Sequence, residues 1–176
     1  MRMISSSIAL AITLTCFSGN KPKEINIPCS KEGHSDSLFF RAGNSAKSRD
    51  MASAKDKALL VTKQMMSSLI GSTIKATTDN YTTSITTSGA TSFKQTFESM
   101  TREIVDQQIK KVAIVCEKTN TTKDKMYECF VAVEMPKTAL VEAFSKAIES
   151  DPKLKADYDK KKFEAILDQE MKKLGE

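Results

Sequence analysis

Apolar residues recur along this chain in two rhythms, and the changes of rhythm mark its elements. Met51, Ala54, Ala58, Val61, Met65 and Leu69 step by three and four, with Leu59, Met66, Ile70 and Ile74 widening the stripe. That period predicts a long amphipathic helix from Ser48 to about Lys75. Its small residues Ala52, Ala54 and Ala58 let the first turns approach a strand closely. A second stripe, Phe93, Phe97, Met100, Ile104 and Ile109, predicts a helix from about Phe93 to Lys111. Between the two, Ser72 to Ser92 reads as loop or edge strand, because twelve of its twenty-one residues are Ser or Thr. Thr loses rotamer freedom in a helix, and Ser competes for the backbone's hydrogen bonds.

The other rhythm is alternation. Asp36 to Gly43 reads as a first strand, with Leu38, Phe39 and Phe40 apolar enough to be covered on both faces, and Gly43-Asn44-Ser45 ends it. Lys111 to Glu117 and Met126 to Met135 flank the polar Thr119 to Asp124 and predict a hairpin. An antiparallel register that sets Val112 opposite Val133 and Ile114 opposite Val131 also sets Cys116 opposite Cys129. Pro136 then opens a short helix carrying Leu140, Val141, Phe144 and Ile148. Asp151-Pro152 opens a C-terminal helix from Lys153 to Leu174, periodic at Phe163, Ile166, Leu167, Met171 and Leu174. This helix either packs across the domain or meets a second copy in a homo-oligomer. The fold class is α/β of the α+β kind: an antiparallel sheet with a β-hairpin, covered by two long helices, plus a C-terminal amphipathic helix.

The N-terminus reads as an address. Arg2 precedes an apolar run from Ile4 to Leu14, the layout of a secretory signal peptide, and no run reaches the ~18 residues that a spanning helix needs. Thr13-Leu14-Thr15-Cys16 places a cysteine where a bacterial lipoprotein signal is cut and acylated, with Thr15 where Gly or Ala is usual. Cys16 is therefore the expected lipidation site, the acyl chains (palmitate and its kin) anchoring the protein to a membrane; cleavage a few residues later, releasing a free product, is the rival. Residues 17–35 then form a flexible tether, 36–150 the domain and 151–176 the terminal helix.

Composition narrows the chemistry. The chain has 176 residues, one His, 6 Gly and 4 Cys, which suits one soluble domain and leaves little for a metal cage, a His-based triad or a phosphate cradle. No cofactor and no metal site are expected. In an oxidising compartment, Cys29, Cys116 and Cys129 remain once Cys16 is set aside, an odd number. Cys116 and Cys129 are the possible disulfide across the hairpin; Cys29 joined to one of them, or all three reduced, stays open. The carboxylate pairs Asp157 with Asp159 and Glu98 with Glu103 fall on helix faces expected to be solvated, short of the cleft that acid–base catalysis requires. The net charge of +5 invites a nucleic-acid reading, yet Lys160-Lys161-Lys162 is flanked by Asp157, Asp159 and Glu164 and has no interleaved aromatic platform. Nucleic acid is not expected as a partner. Asp36-Ser37-Leu38 and the sequons at Asn80 and Asn120 are short glycan-acceptor patterns.

Several segments look familiar once ordered: Phe39-Phe40-Arg41-Ala42-Gly43, Ala52-Ser53-Ala54-Lys55-Asp56-Lys57-Ala58, Phe97-Glu98-Ser99, and Tyr127 to Met135. Together they resemble small bacterial outer-membrane lipoproteins of the Lpp-twenty type, found in Bacteroidetes-like envelopes, over about residues 37 to 150. The resemblance implies an α/β sandwich akin to the N-terminal domain of a flagellar assembly protein, and no catalytic residues. The expectation is a non-enzymatic lipoprotein of the cell envelope, on the outer membrane, acting as an adaptor toward other envelope proteins or the cell-wall polymer. The alternative is a soluble periplasmic or secreted ligand-binding protein, with the Ser/Thr-rich segment and the sheet face forming its pocket.

Overall fold

β3 (Tyr127–Pro136) is the middle of a three-stranded antiparallel sheet, with β1 (Phe39–Ser48) on one side and β2 (Ala113–Thr121) on the other. The computed structural model describes residues 25–84 and 90–174, and Cys16 lies outside them. The remaining elements are α1 (Met51–Thr83), α2 (Ala90–Ile109), α3 (Lys137–Glu149), α4 (Pro152–Asp157) and α5 (Lys160–Lys172). The class is α+β, as the two rhythms predict.

Alternation gives the sheet two unlike faces. On the front, Phe40 and Ala42 of β1 stand beside Met135 and Val133 of β3, and Cys129 and Val131 continue the row; all are buried. α1 lies on this face. Its buried positions Ala54, Ala58, Thr62, Met66 and Ile70 are rotated from the expected stripe, so Met51 and Met65 stay about half exposed and Thr62 faces the sheet. Ala54 and Ala58 are buried at the sheet, which the close approach requires, whereas Ala52, expected beside them, is exposed. The first strand begins later than expected and runs further, through Ser48, and Leu38 is exposed rather than covered.

α1 also continues well past Lys75, through the Thr-rich segment expected to be loop or strand; residues 85–89 of that segment lie outside the described residues. Thr73, Thr77, Thr78 and Thr82 each donate their hydroxyl to the carbonyl four residues back, at 2.8–2.9 Å. These bonds satisfy the hydroxyls locally. Thr73, Thr77 and Thr78 can therefore be buried beside Ile74 and Tyr81. Burial across the tertiary fold outweighs the weak helix propensity of threonine. Asp50 caps the helix start by accepting the Ser53 N–H, which holds its carboxyl below the usual range.

Gly71 interrupts this helix interior without a steric reason, since a Cβ there would meet no atom within 4 Å. Gly71→Ala is therefore expected to stabilise the protein by about 0.5–1 kcal/mol in urea titration. A loss of stability would show that the site needs glycine after all.

The C-terminal segment is two helices, not the single one expected. The break falls at Tyr158-Asp159, where Asp159 accepts the Lys162 N–H as cap of α5 and donates its own N–H to the Tyr81 hydroxyl at 2.7 Å. α5 packs against α1 within the same chain, burying Phe163, Leu167 and Met171 completely. Phe163 is the hub of an aromatic cluster, with ring centroids 5.3 Å from Phe97, 5.8 Å from Tyr158, 5.9 Å from Tyr81 and 6.2 Å from Phe144. Burial among these rings pushes the Tyr158 hydroxyl up to about 12.

Candidate functional site

The hairpin forms, but its register differs from the one that paired its cysteines. Ile114 lies opposite Val133 and Thr119 opposite Cys129, with an irregularity between Ile114 and Cys116 that leaves Val115 as an extra residue. One extra residue inverts the facing of everything beyond it. Cys116 therefore turns to the back of the sheet, opposite Ala132, while Cys129 stays on the front, buried as a free thiol. The expected Cys116–Cys129 bond is corrected: Cys116 is bonded to Cys29, with Cα atoms 5.5 Å apart and a sequence separation of 87. This spacing is ordinary for a disulfide.

That bond makes a strap of residues expected to be free tether. The chain crosses the back of the sheet from Ile25, turns at Cys29 with φ of 59°, and makes a short 3₁₀ turn at Lys31–Gly33. Gly33 sits on Gly43 of β1 so tightly that a Cβ on Gly33 would lie 3.0 Å from the Gly43 backbone. A side chain there would push the two backbones apart, which is why a glycine suits so close an approach. Ser35, buried, accepts the Arg41 N–H at 2.8 Å and donates to the Arg41 carbonyl at 3.0 Å, so one side chain occupies both groups of an otherwise open strand edge.

Asp36 completes the clasp. Its carboxylate accepts the N–H groups of Leu38 and Phe39 at 2.8 and 2.9 Å and pairs with Arg41, which also bonds Glu134 at 3.0 Å. The Leu38 N–H above all, with Arg41, holds the Asp36 carboxyl below its usual range. Desolvation opposes the Arg41 charge, but Glu134 and Asp36 outweigh it and raise its pKa. The guanidinium also lies 4.9 Å from the Phe39 ring centre. Because the folded form favours ionised Asp36, its contribution is complete above the ordinary value of 3.8 and is lost as pH falls through the lowered folded value. Amide exchange at Leu38 and Phe39, corrected for intrinsic rates, should accelerate between about pH 5 and about pH 2 in the native chain and not in Asp36→Asn. Equal acceleration in both would contradict the clasp.

The remaining residues singled out in the sequence are dispersed. His34 is exposed on the strap. Glu98 and Glu103 lie on α2, Glu103 accepting from Gln107, and Asp159 serves as a helix cap; the Asp157 side chain lies outside the described ones. Thr73, Thr77, Thr78, Thr82 and Thr83 direct their hydroxyls to carbonyls of their own helix, while the Thr62 hydroxyl, bonded to the Ala58 carbonyl, also reaches the Val131 carbonyl of the sheet at 3.4 Å. A groove of about 1190 Å³ between α2 and α3 has Ile104 and Ala143 among its lining, with Glu103, Lys111, Glu142 and Lys146 beside them. Among the described residues, no three or more His, Cys, Asp or Glu side chains are grouped to hold a metal ion, and no helix is long and apolar enough to cross a membrane.

The strap leaves few marks in the sequence. Its signals are Cys29 and the alternation of Phe39, Arg41 and Gly43 on one strand face, where a glycine marks close backbone approach. No known family, curated protein or solved structure matches this chain.

Proposed function

We propose that this protein is a non-enzymatic lipoprotein of the bacterial cell envelope, of the Lpp-twenty kind, anchored to the outer membrane through acylated Cys16. It presents the α+β domain as an adaptor toward other envelope proteins or the cell-wall polymer. The observation that carries the reading is the Cys29–Cys116 bond standing 13 residues beyond a leader that ends in Cys16. A disulfide of this kind persists in an oxidising compartment, where such a leader delivers its cargo. The strap adds a mechanical reason for the pairing, because the disulfide joins the tether covalently to β2, so a load on the anchor reaches the sheet at Cys116 before it reaches the contacts of Gly33 and Ser35. One acyl chain gives only marginal membrane binding, whereas the two or three on a lipoprotein cysteine hold firmly.

Detergent phase separation of cells making the native chain and Cys16→Ser tests this. The native chain is expected in the detergent phase and the variant in the aqueous phase or retained as precursor. Recovery of the native chain in the aqueous phase would favour the free periplasmic or secreted form.

A further inference from the structure

Resting on the lipid-anchored reading, we propose that Ile25 and Ile27 dock onto the phospholipid surface that holds Cys16, so that the back of the sheet faces the membrane and the helical layer faces away. The two isoleucines are 80% and 54% exposed. They share a shallow recess with the exposed Lys31 and Lys118, Glu32 being the acid among its lining. Apolar side chains flanked by lysines suit the boundary between headgroups and acyl chains, where the former bury and the latter meet phosphate. Cys29 follows Ile27 by two residues and is bonded to Cys116, so the isoleucines are held beside the back of the sheet.

Reach supplies the orientation. Ile25 is nine residues on from Cys16, a span of at most about 30 Å even when fully extended. α1 alone, with 33 residues, is about 50 Å long. An acylated Cys16 therefore keeps the strap near the headgroups, while the far end of the helical layer has no such constraint.

The chain contains no Trp, so a single indole reports its own surroundings. Ile27→Trp is compared with Leu60→Trp; Leu60 is 57% exposed on α1 between Ala58 and Thr62, which face the sheet, and so points away from it. Each full-length acylated chain is placed in vesicles of phosphatidylethanolamine and phosphatidylglycerol carrying bromine on the acyl chains, and its N-terminal mass is recorded. At position 27 the emission should shift to the blue and lose roughly half its intensity, as burial by some 5–10 Å implies, while position 60 remains unquenched. Equal quenching at the two positions in acylated protein overturns the docking and leaves the anchor standing. A mass without acyl chains overturns the anchor and the docking together.

Discussion

Cys29→Ser should destabilise the protein by about 4–5 kcal/mol, the loss expected in the chain-entropy model when a loop of this length is opened. The bond spans 87 residues, so the unfolded chain regains far more freedom than it would from a short hairpin clip. For a domain of this size the melting temperature should fall by roughly 10–15 °C. Reductant should destabilise the native chain by a similar amount and leave Cys29→Ser unchanged. Cys129→Ser separates this bond from the hairpin alternative: its thiol is buried on the front of the sheet, so the variant must remain sensitive to reductant. If Cys129→Ser abolished that sensitivity, the bond would run through Cys129 and the Cys29–Cys116 pairing would be wrong.

Phe163→Ala is expected to lose about 3–5 kcal/mol, the range for removing a fully buried aromatic ring. The ring is completely inaccessible and touches Phe97, Tyr158, Tyr81 and Phe144, so its loss leaves a cavity with four aromatic walls. Because Phe163 belongs to α5 and Tyr81 to α1, the variant should also loosen one helix from the other. Amide protection along α5 should fall further than that of β3, whose protection falls only as far as the global stability does. A loss below about 1 kcal/mol would mean that the surrounding rings collapse into the space and that the cluster is less central than its geometry implies.

Elements with one strong local rhythm were legible in the sequence. α2, the hairpin and α3 stand close to where apolar spacing places them, and the Asp159 cap, though unforeseen, uses the residue type that caps use. Three features depend on contacts that no local rhythm contains. The Thr-rich half of α1 is helical because its hydroxyls bond back along the helix and its neighbours Ile74 and Tyr81 are buried, a tertiary gain that overrides propensity. The break before α5 is held by the Tyr81 hydroxyl, 78 residues away. The bulge at Val115 adds a single residue to β2, which is invisible to a count of alternating positions, yet it decides which face Cys116 occupies and hence its partner. The candidate site was legible in its parts, since Cys29, Arg41 and Gly43 were all in view, but not in its assembly. Composition placed residues 29–35 in a tether because they are polar, and they are held by a bond, a glycine contact and a buried Ser35 rather than by an apolar face.

In the proposed reading Cys16 carries the anchor, and the chain beyond it is stapled to the back of the sheet by the Cys29–Cys116 bond. Mass spectrometry of peptides from membrane-extracted protein, digested without reduction, reads both at once. The expected result is a mature N-terminal peptide beginning at acylated Cys16, a linked pair of peptides containing Cys29 and Cys116, and Cys129 recovered as a free thiol. An unmodified N-terminal peptide beginning after Cys16, or Cys116 recovered in a link to Cys129, would contradict it.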